Sequence, residues 1–200
     1  MFKLNLAWVI LSVFALPALS EQNKKPTQKA PAEIMLKTAS GEKVFPLRKD
    51  EKLPSKAKIF VFVAHDCPIS NKYAPTLNTL TREYTPKGFQ FYVVYTESDL
   101  KPETARKHAK EFGYTCPTLL DPKHKLSKRL GAKVTPQAFL LDKEGKIAYS
   151  GRIDDRFIDF GKERHRATVA DLRNALDNTL AGKPISPKQT KSIGCYIPEE

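Results

Sequence analysis

Residues 59–75 read IFVFVAHDCPISNKYAP. The continuous apolar run at 59–63 is typical of a β-strand that is buried on both faces. Pro68 fits the first position of a helix, and apolar residues recur at helical spacing over 73–84. The stretch therefore predicts a buried strand that ends shortly before Cys67 and a helix that begins immediately after it.

Cys67 stands where this strand gives way to this helix. The unpaired amide groups and the positive end of the helix dipole stabilise a thiolate at such a place. The thiolate is the form of cysteine that attacks disulfides and peroxides. We therefore predict that Cys67 is a redox-active nucleophile; the alternative interpretation is a buried structural cysteine.

The rest of the chain alternates predicted strands with predicted helices. Residues 34–45 are typical of a β-hairpin. The patterns after the first helix predict, in order, a strand at 89–95, a helix from Pro102 to Gly113, a strand at 118–120, a short helix at 123–130, a hairpin of 138–141 with 147–149, and a helix from Thr168 to Gly182. Thr168 and Asp171 are expected to form a capping box at the start of this last helix. This order predicts one α/β domain over residues 34–182, with a central mixed β-sheet flanked by helices.

The two ends of the chain differ from this domain. Residues 1–20 combine a cation, an apolar run and small residues before position 21, which is typical of a signal peptide. The run is shorter than the roughly 20 residues of a bilayer span, so we expect export, most simply to a periplasm, without stable membrane insertion; an uncleaved anchor is the alternative. Residues 21–33 are typical of a flexible linker, and residues 183–200 of a C-terminal tail that contains Cys195.

The composition is that of an ordinary soluble protein, with 40% hydrophobic residues and a formal net charge of +12. The cations are scattered among acidic residues along the chain, which favours a solvated surface over a nucleic-acid site, with an acidic protein partner as the alternative. The four histidines have no metal-ligand spacing. We therefore predict no metal site, no cofactor, and solvated histidine side chains.

Several segments together resemble the redoxin group of thioredoxin-fold proteins, in the alkyl hydroperoxide reductase/thiol-specific antioxidant superfamily. The run 65–70, with Pro75 further on, is similar to the thioredoxin active-site helix. The segment 134–142 is similar to the loop that carries a cis-proline in that fold. Glu97 matches a glutamate near the active site in thioredoxins of cytochrome maturation. The segments 151–156 and 193–195 resemble recurring redoxin segments, so the resemblance covers residues 34–197.

The resemblance implies a thioredoxin fold and a thiol–disulfide oxidoreductase. Cys67 and Glu97 would be catalytic, with Glu97 near Cys67 to manage a proton, and Thr135 with Pro136, joined by a cis bond, would hold the substrate backbone. Substrates would be protein disulfides, small thiols or peroxides, and an external thiol would supply electrons.

The departures from the family pattern limit this function. Ser70 stands where thioredoxins have their second cysteine, so Cys67 has no partner in its own helix turn. Ala64 and Phe60 replace a hydroxyl residue and a proline of peroxiredoxins. A one-cysteine thiol peroxidase is therefore the second hypothesis, and a redox-inert binding module is the third.

Three cysteines permit three single disulfides. In the topology that the resemblance implies, the helix before Cys116 and the last helix both run away from the active-site edge of the sheet. On that argument we expect Cys116 and Cys195 to form a structural disulfide. The alternative is that the tail returns and Cys195 acts as the resolving partner of Cys67.

Overall fold

The computed structural model describes residues 33–49 and 55–198. The predicted signal peptide and nearly all of the predicted linker lie outside the described residues. The strands are β1 (Leu36–Thr38), β2 (Lys43–Val44), β3 (Ala57–Val63), β4 (Phe89–Tyr95), β5 (Thr118–Leu120), β6 (Val134–Thr135), β7 (Gln137–Asp142), β8 (Ile147–Gly151), β9 (Phe157–Asp159), β10 (Lys162–Glu163) and β11 (Cys195–Tyr196). The helices are α1 (Pro68–Tyr84), α2 (Pro102–Glu111), α3 (Lys125–Leu130) and α4 (Asp171–Leu180), with a 3₁₀ turn at Thr85–Lys87.

Seven of these strands form the main sheet, in the order β2-β1-β5-β4-β3-β7-β8. β3, β4 and β5 are parallel to one another, whereas β7 runs antiparallel to β3, and β8 antiparallel to β7. The hairpin β1–β2 pairs antiparallel with β5 at one edge. The predicted α/β class, the mixed sheet and the N-terminal hairpin are confirmed.

β3 lies inside the sheet and is covered on both faces. Ile59, Val61 and Val63 belong to one apolar layer, together with residues of α1, α2 and α4. Phe60 and Phe62 belong to the opposite layer, together with residues of α3. Successive side chains of a strand point to opposite faces, so burial of both faces requires the continuous apolar run seen in the sequence.

The start of α4 differs from the prediction. Ala170 is the N-cap residue and no side chain caps the helix. The amide and hydroxyl groups of Thr168 instead donate hydrogen bonds to the carboxylate of Asp155. The predicted capping box with Asp171 is therefore wrong, because the carboxylate of Asp171 pairs with Arg152 at 2.7 Å.

The C-terminal segment packs against the domain. The backbone of Thr190 bonds to Ser150 in β8, and its hydroxyl lies 2.7 Å from that of Tyr149. Further on, β11 pairs antiparallel with β6. Within residues 33–49 and 55–198, none of the helices has the length and apolar character needed to cross a membrane.

Candidate active site around Cys67

Cys67 is the N-cap residue of α1, in extended backbone conformation. A turn leads from β3 to the helix, in which the amide of Cys67 donates to the carbonyl of Ala64 at 3.2 Å. Pro68 follows at the first helical position, where its missing N–H costs no helical hydrogen bond. Cys67 itself is only 1% exposed. The strand-to-helix position predicted for this cysteine is thus the position found.

Two other segments cover the sulfur of Cys67. Its thiol donates to the carbonyl oxygen of Thr135 at 3.3 Å, and the bond from Thr135 to Pro136 is cis, as predicted. The Sγ of Cys195 lies 2.8 Å from the Sγ of Cys67, and both are free thiols. A helix start, a cis-proline turn and the C-terminal segment therefore meet at one sulfur.

The structure places Cys195 beside Cys67, contrary to the expected pairing of Cys195 with Cys116. After Thr190 the chain turns back along β6, so Cys195 reaches the active-site edge instead of the far side of the sheet. The thiol of Cys116 is packed against the main core, and its burial raises its pKa to about 11, against weaker lowering by Thr81. Cys116 is a partly buried cysteine with a raised pKa.

The two facing thiols have opposite pKa shifts. Burial by itself would raise the pKa of Cys67, but hydrogen bonds from the Cys195 thiol and from the amide of Ser70 outweigh it, so this pKa is lowered. Burial and the facing Cys67 sulfur raise the pKa of Cys195, and the charge of Asp66 adds to the effect. Cys67 is therefore the more acidic thiol of the pair, and Cys195 is the less acidic one.

Glu97 follows β4, as predicted, and its carboxylate contacts the loop before Cys67. One oxygen accepts a hydrogen bond from the amide of His65 at 2.5 Å and lies 2.7 Å from the Nδ1 of the same residue. The other oxygen accepts from the amide of Thr96. Glu97 thus fixes the position of His65, two residues before the reactive sulfur.

A buried polar chain behind this loop was not predicted. Asn71 donates to the carbonyl of His65 at 3.0 Å and faces the Nε2 of His108 at 2.9 Å, while the Nδ1 of His108 lies 2.7 Å from the hydroxyl of Tyr95. Burial lowers the pKa of His108 and favours neutral imidazole, which can donate to Asn71 and accept from Tyr95. A hint was available, since His108 follows Ala105 by three residues on the buried face of α2.

The prediction of solvated histidines is wrong for two of the four. His108 is 7% exposed and His124 is 2% exposed, with its Nε2 at 2.7 Å from the carbonyl of Thr96. Among the described residues, His65, Asp66 and Glu97 bring ligand atoms within 4.8 Å of one another. The ring nitrogen of His65 that faces this cluster already bonds to the carboxylate, so we assign no metal to it.

An apolar groove of about 260 Å³ opens beside the two thiols. It lies between the start of α1 and the β9–β10 hairpin, and Cys195 forms part of its wall. The other lining residues are Pro68, Ile69, Lys72, Phe157, Phe160, Gly161 and Glu163. An ion pair of Lys72 with Glu163, at 2.7 Å, links its two sides.

The sheet order, the cis-proline turn and a cysteine at the start of α1 define a thioredoxin-like protein. The chain belongs to the redoxin family, whose family model matches residues 25–163. Among solved structures, it is similar to a hypothetical protein from Sinorhizobium meliloti 1021, with 30% identity and a TM-score of 0.72 over 83% of this chain and 90% of that one. No curated protein sequence matches the chain.

Two further solved structures place the fold. An uncharacterized conserved protein from Geobacillus kaustophilus has 29% identity and a TM-score of 0.71, over 84% of this chain and 89% of that one. A putative thiol:disulfide interchange protein DsbE from Chlorobium tepidum has 22% identity and a TM-score of 0.53, over 75% of this chain and 92% of that one. The second of these likenesses concerns the fold alone.

Proposed function

We propose that the protein is a thiol–disulfide oxidoreductase in which Cys67 attacks the substrate and Cys195 resolves the product. The observation that carries this proposal is the 2.8 Å separation of the two sulfurs at the start of α1. Membership of the redoxin family supports it. The missing second cysteine at Ser70 is then replaced by a cysteine from the C-terminal segment.

The reaction proceeds in two exchanges. The Cys67 thiolate attacks one sulfur of a substrate disulfide, a mixed disulfide forms, and the other substrate sulfur leaves as a thiolate. Cys195 then loses its proton and attacks the Cys67 sulfur, which releases the second substrate thiolate and leaves a Cys67–Cys195 disulfide. Two electrons pass to the substrate, and an external dithiol restores the reduced pair; the reverse sequence would oxidise a substrate.

The surrounding groups have distinct parts in this scheme. The amide of Ser70 stabilises the Cys67 thiolate. The cis turn of Thr135 and Pro136 presents a carbonyl and a strand edge beside the sulfur, where a substrate backbone can pair. Glu97 acts through His65, which it bonds, and we assign to this pair the handling of the proton that Cys195 loses. The charge of Asp66 acts directly on Cys195.

Matched cysteine variants test the proposal. Cys67→Ser should abolish reduction of a protein disulfide such as that of insulin, with dithiothreitol as electron donor. Cys195→Ser should allow the first exchange and accumulate a mixed disulfide on Cys67, which intact mass spectrometry detects. Cys116→Ser is the control and should keep full activity, because the Cys116 thiol lies beside Thr81, near the opposite end of α1 from Cys67. Retained activity in Cys67→Ser would refute the assignment.

The same preparations separate the other two hypotheses. Peroxide consumption that depends on Cys67 without any disulfide exchange would favour the thiol peroxidase. Slow alkylation of Cys67 in every preparation that keeps this cysteine would favour the binding module. After mild oxidation, peptide mapping should find Cys67 bonded to Cys195, and a Cys116–Cys195 bond would contradict the scheme.

We also propose that the protein acts after export, most simply in a periplasm. Two features support export. The sequence of residues 1–20 has the pattern of a leader, and the proposed disulfide is of a kind that persists in oxidising compartments. The mass of the protein recovered from the exported fraction should correspond to a chain that begins near Glu21. Recovery of the intact chain from the cytoplasm would refute export.

A further inference from the structure

The C-terminal strap, which we define as residues 191–198, is held at the active site as an extra strand. Cys195 pairs with Thr135, and Tyr196 pairs with Val134, in antiparallel register. The amide of Ile197 extends the pairing by donating to the carbonyl of Lys133 at 2.9 Å. Backbone pairing of this kind is the way in which an extended polypeptide adds to a strand edge, whatever its sequence.

The side chains of the strap have alternating environments. Ile193 packs partly buried against the main core, and Ile197, 9% exposed, packs in the second apolar layer. Between them, Tyr196 is 81% exposed and contributes little to the contact. The strap is thus held by two isoleucines, one two positions before Cys195 and the other two positions after it.

Gly194 is required by close approach of two backbones. A Cβ at this position would lie 2.0 Å from the carbonyl oxygen of Thr135 and 2.6 Å from its carbonyl carbon. Backbone atoms cannot move aside as a flexible side chain can. Any chain in this register must therefore have glycine immediately before the cysteine that faces Cys67.

We propose that the strap occupies the place along β6 where a substrate backbone binds, and that the site binds extended polypeptides with the pattern apolar–Gly–Cys–any–apolar. This inference rests on the proposed function of Cys67. When the strap leaves β6, a substrate segment pairs there and its cysteine takes the place of Cys195. The Cys67 thiolate attacks that cysteine in its disulfide, and the other sulfur of the substrate leaves as a thiolate.

The return of the strap completes the cycle. The substrate and the strap cannot pair with β6 at the same time, so re-entry of Ile193 and Ile197 into their sites displaces the substrate backbone. Cys195 then attacks the Cys67 sulfur, and the substrate cysteine leaves as a thiolate. The site along β6 therefore sets sequence preference in the first exchange, and the returning strap drives product release in the second.

The test measures reaction of full-length Cys195→Ser with short peptides whose cysteine carries thionitrobenzoate. One peptide has the strap sequence Lys-Ser-Ile-Gly-Cys-Tyr-Ile-Pro, the second has alanine in place of its glycine, and the third has serine in place of both isoleucines. Release of thionitrobenzoate reports attack by Cys67. We expect the first peptide to react at least about tenfold faster than either of the others, because buried apolar surface and backbone fit both favour it.

A second substitution displaces the strap without touching either thiol position. Gly194→Ala, added to Cys195→Ser, should raise the rate with the first peptide, because the added Cβ pushes the strap off Thr135. Tyr196→Ala is the control within the strap, since the Tyr196 side chain is 81% exposed, and it should leave the rate unchanged. Equal rates for the three peptides, or no effect of Gly194→Ala, would overturn the inference.

The same experiment distinguishes this failure from failure of the proposed function. The small reagent 5,5′-dithiobis(2-nitrobenzoate) needs no peptide pattern to react with a thiolate. Equal peptide rates, with rapid reaction of Cys67 toward this reagent, would overturn the sequence preference alone. A Cys67 that is inert to the reagent even after Gly194→Ala would overturn the oxidoreductase and, with it, the substrate pattern.

Discussion

Truncation of Ile197 tests whether the C-terminal strap opens separately from the rest of the domain. The side chain of Ile197 is 9% exposed, and Ile197→Ala removes about three carbon groups at about 0.8 kcal/mol each. The loss of roughly 2 kcal/mol corresponds to an increase of about 30-fold in an equilibrium constant, at 1.36 kcal/mol per tenfold. Because Cys67 is covered by the strap, the population of the open form limits its reaction with solvent reagents.

The assay is alkylation of Cys67 by iodoacetamide, followed by mass spectrometry of the peptide that contains it. We expect Ile197→Ala to accelerate the reaction by about 30-fold, while the melting temperature changes little, since local opening leaves the main sheet intact. Tyr196→Ala is the control and should react at the wild-type rate, because Tyr196 is 81% exposed.

Two results would refute this reasoning. If Ile197→Ala and Tyr196→Ala react with iodoacetamide at the same rate, the strap does not control access to Cys67. If Ile197→Ala lowers the melting temperature by about 4–8 °C without any gain in reaction rate, Ile197 belongs to the global folding unit. In that case the strap does not open before the domain unfolds.

Three other predictions concern the supports of the site. Tyr95→Phe removes the hydroxyl that faces the Nδ1 of His108, and the unsatisfied buried nitrogen should lower the free energy of unfolding by about 1–3 kcal/mol in urea titrations. Hydrogen bonds from Thr168 lower the pKa of Asp155 to about 2, from an ordinary 3.8, so stability should fall as pH falls through this interval. Asp155→Asn should flatten that part of the profile; an unchanged profile would contradict it. Oxidation of Cys116→Ser should give the same disulfide as wild type, and loss of that disulfide would contradict the assignment.

The central part of the fold could be predicted from local patterns. The run at 59–63 and the spacing over 73–84 identified β3 and α1, because burial on both faces and helical periodicity leave direct traces in sequence. The cis bond before Pro136 followed from the resemblance of its segment to a known loop. These features depend on residues close together in the chain.

The partner of Cys67 could not be predicted in the same way. The path of the strap depends on Thr190 fitting against β8 and on Gly194 fitting against Thr135, and both contacts join residues that are far apart in sequence. The direction of α4 indicated a tail on the far side of the sheet, and no local pattern in the sequence indicates that the tail returns. The burial of His108 was missed because its polar partners, Asn71 and Tyr95, come from two other elements.

The attachment of Thr190 gives the strap a fixed point close to the site. Its hydroxyl accepts from the amide of Arg152 at 3.1 Å, and only five residues lead from there to Cys195. Such a segment spans at most about 17 Å from Thr190 when extended. A released Cys195 thiol therefore stays at an effective concentration in the millimolar range around the Cys67 sulfur. A dissolved thiol below that concentration loses the kinetic competition for a mixed disulfide on Cys67, and inserting residues after Thr190 should shift the outcome toward outside thiols.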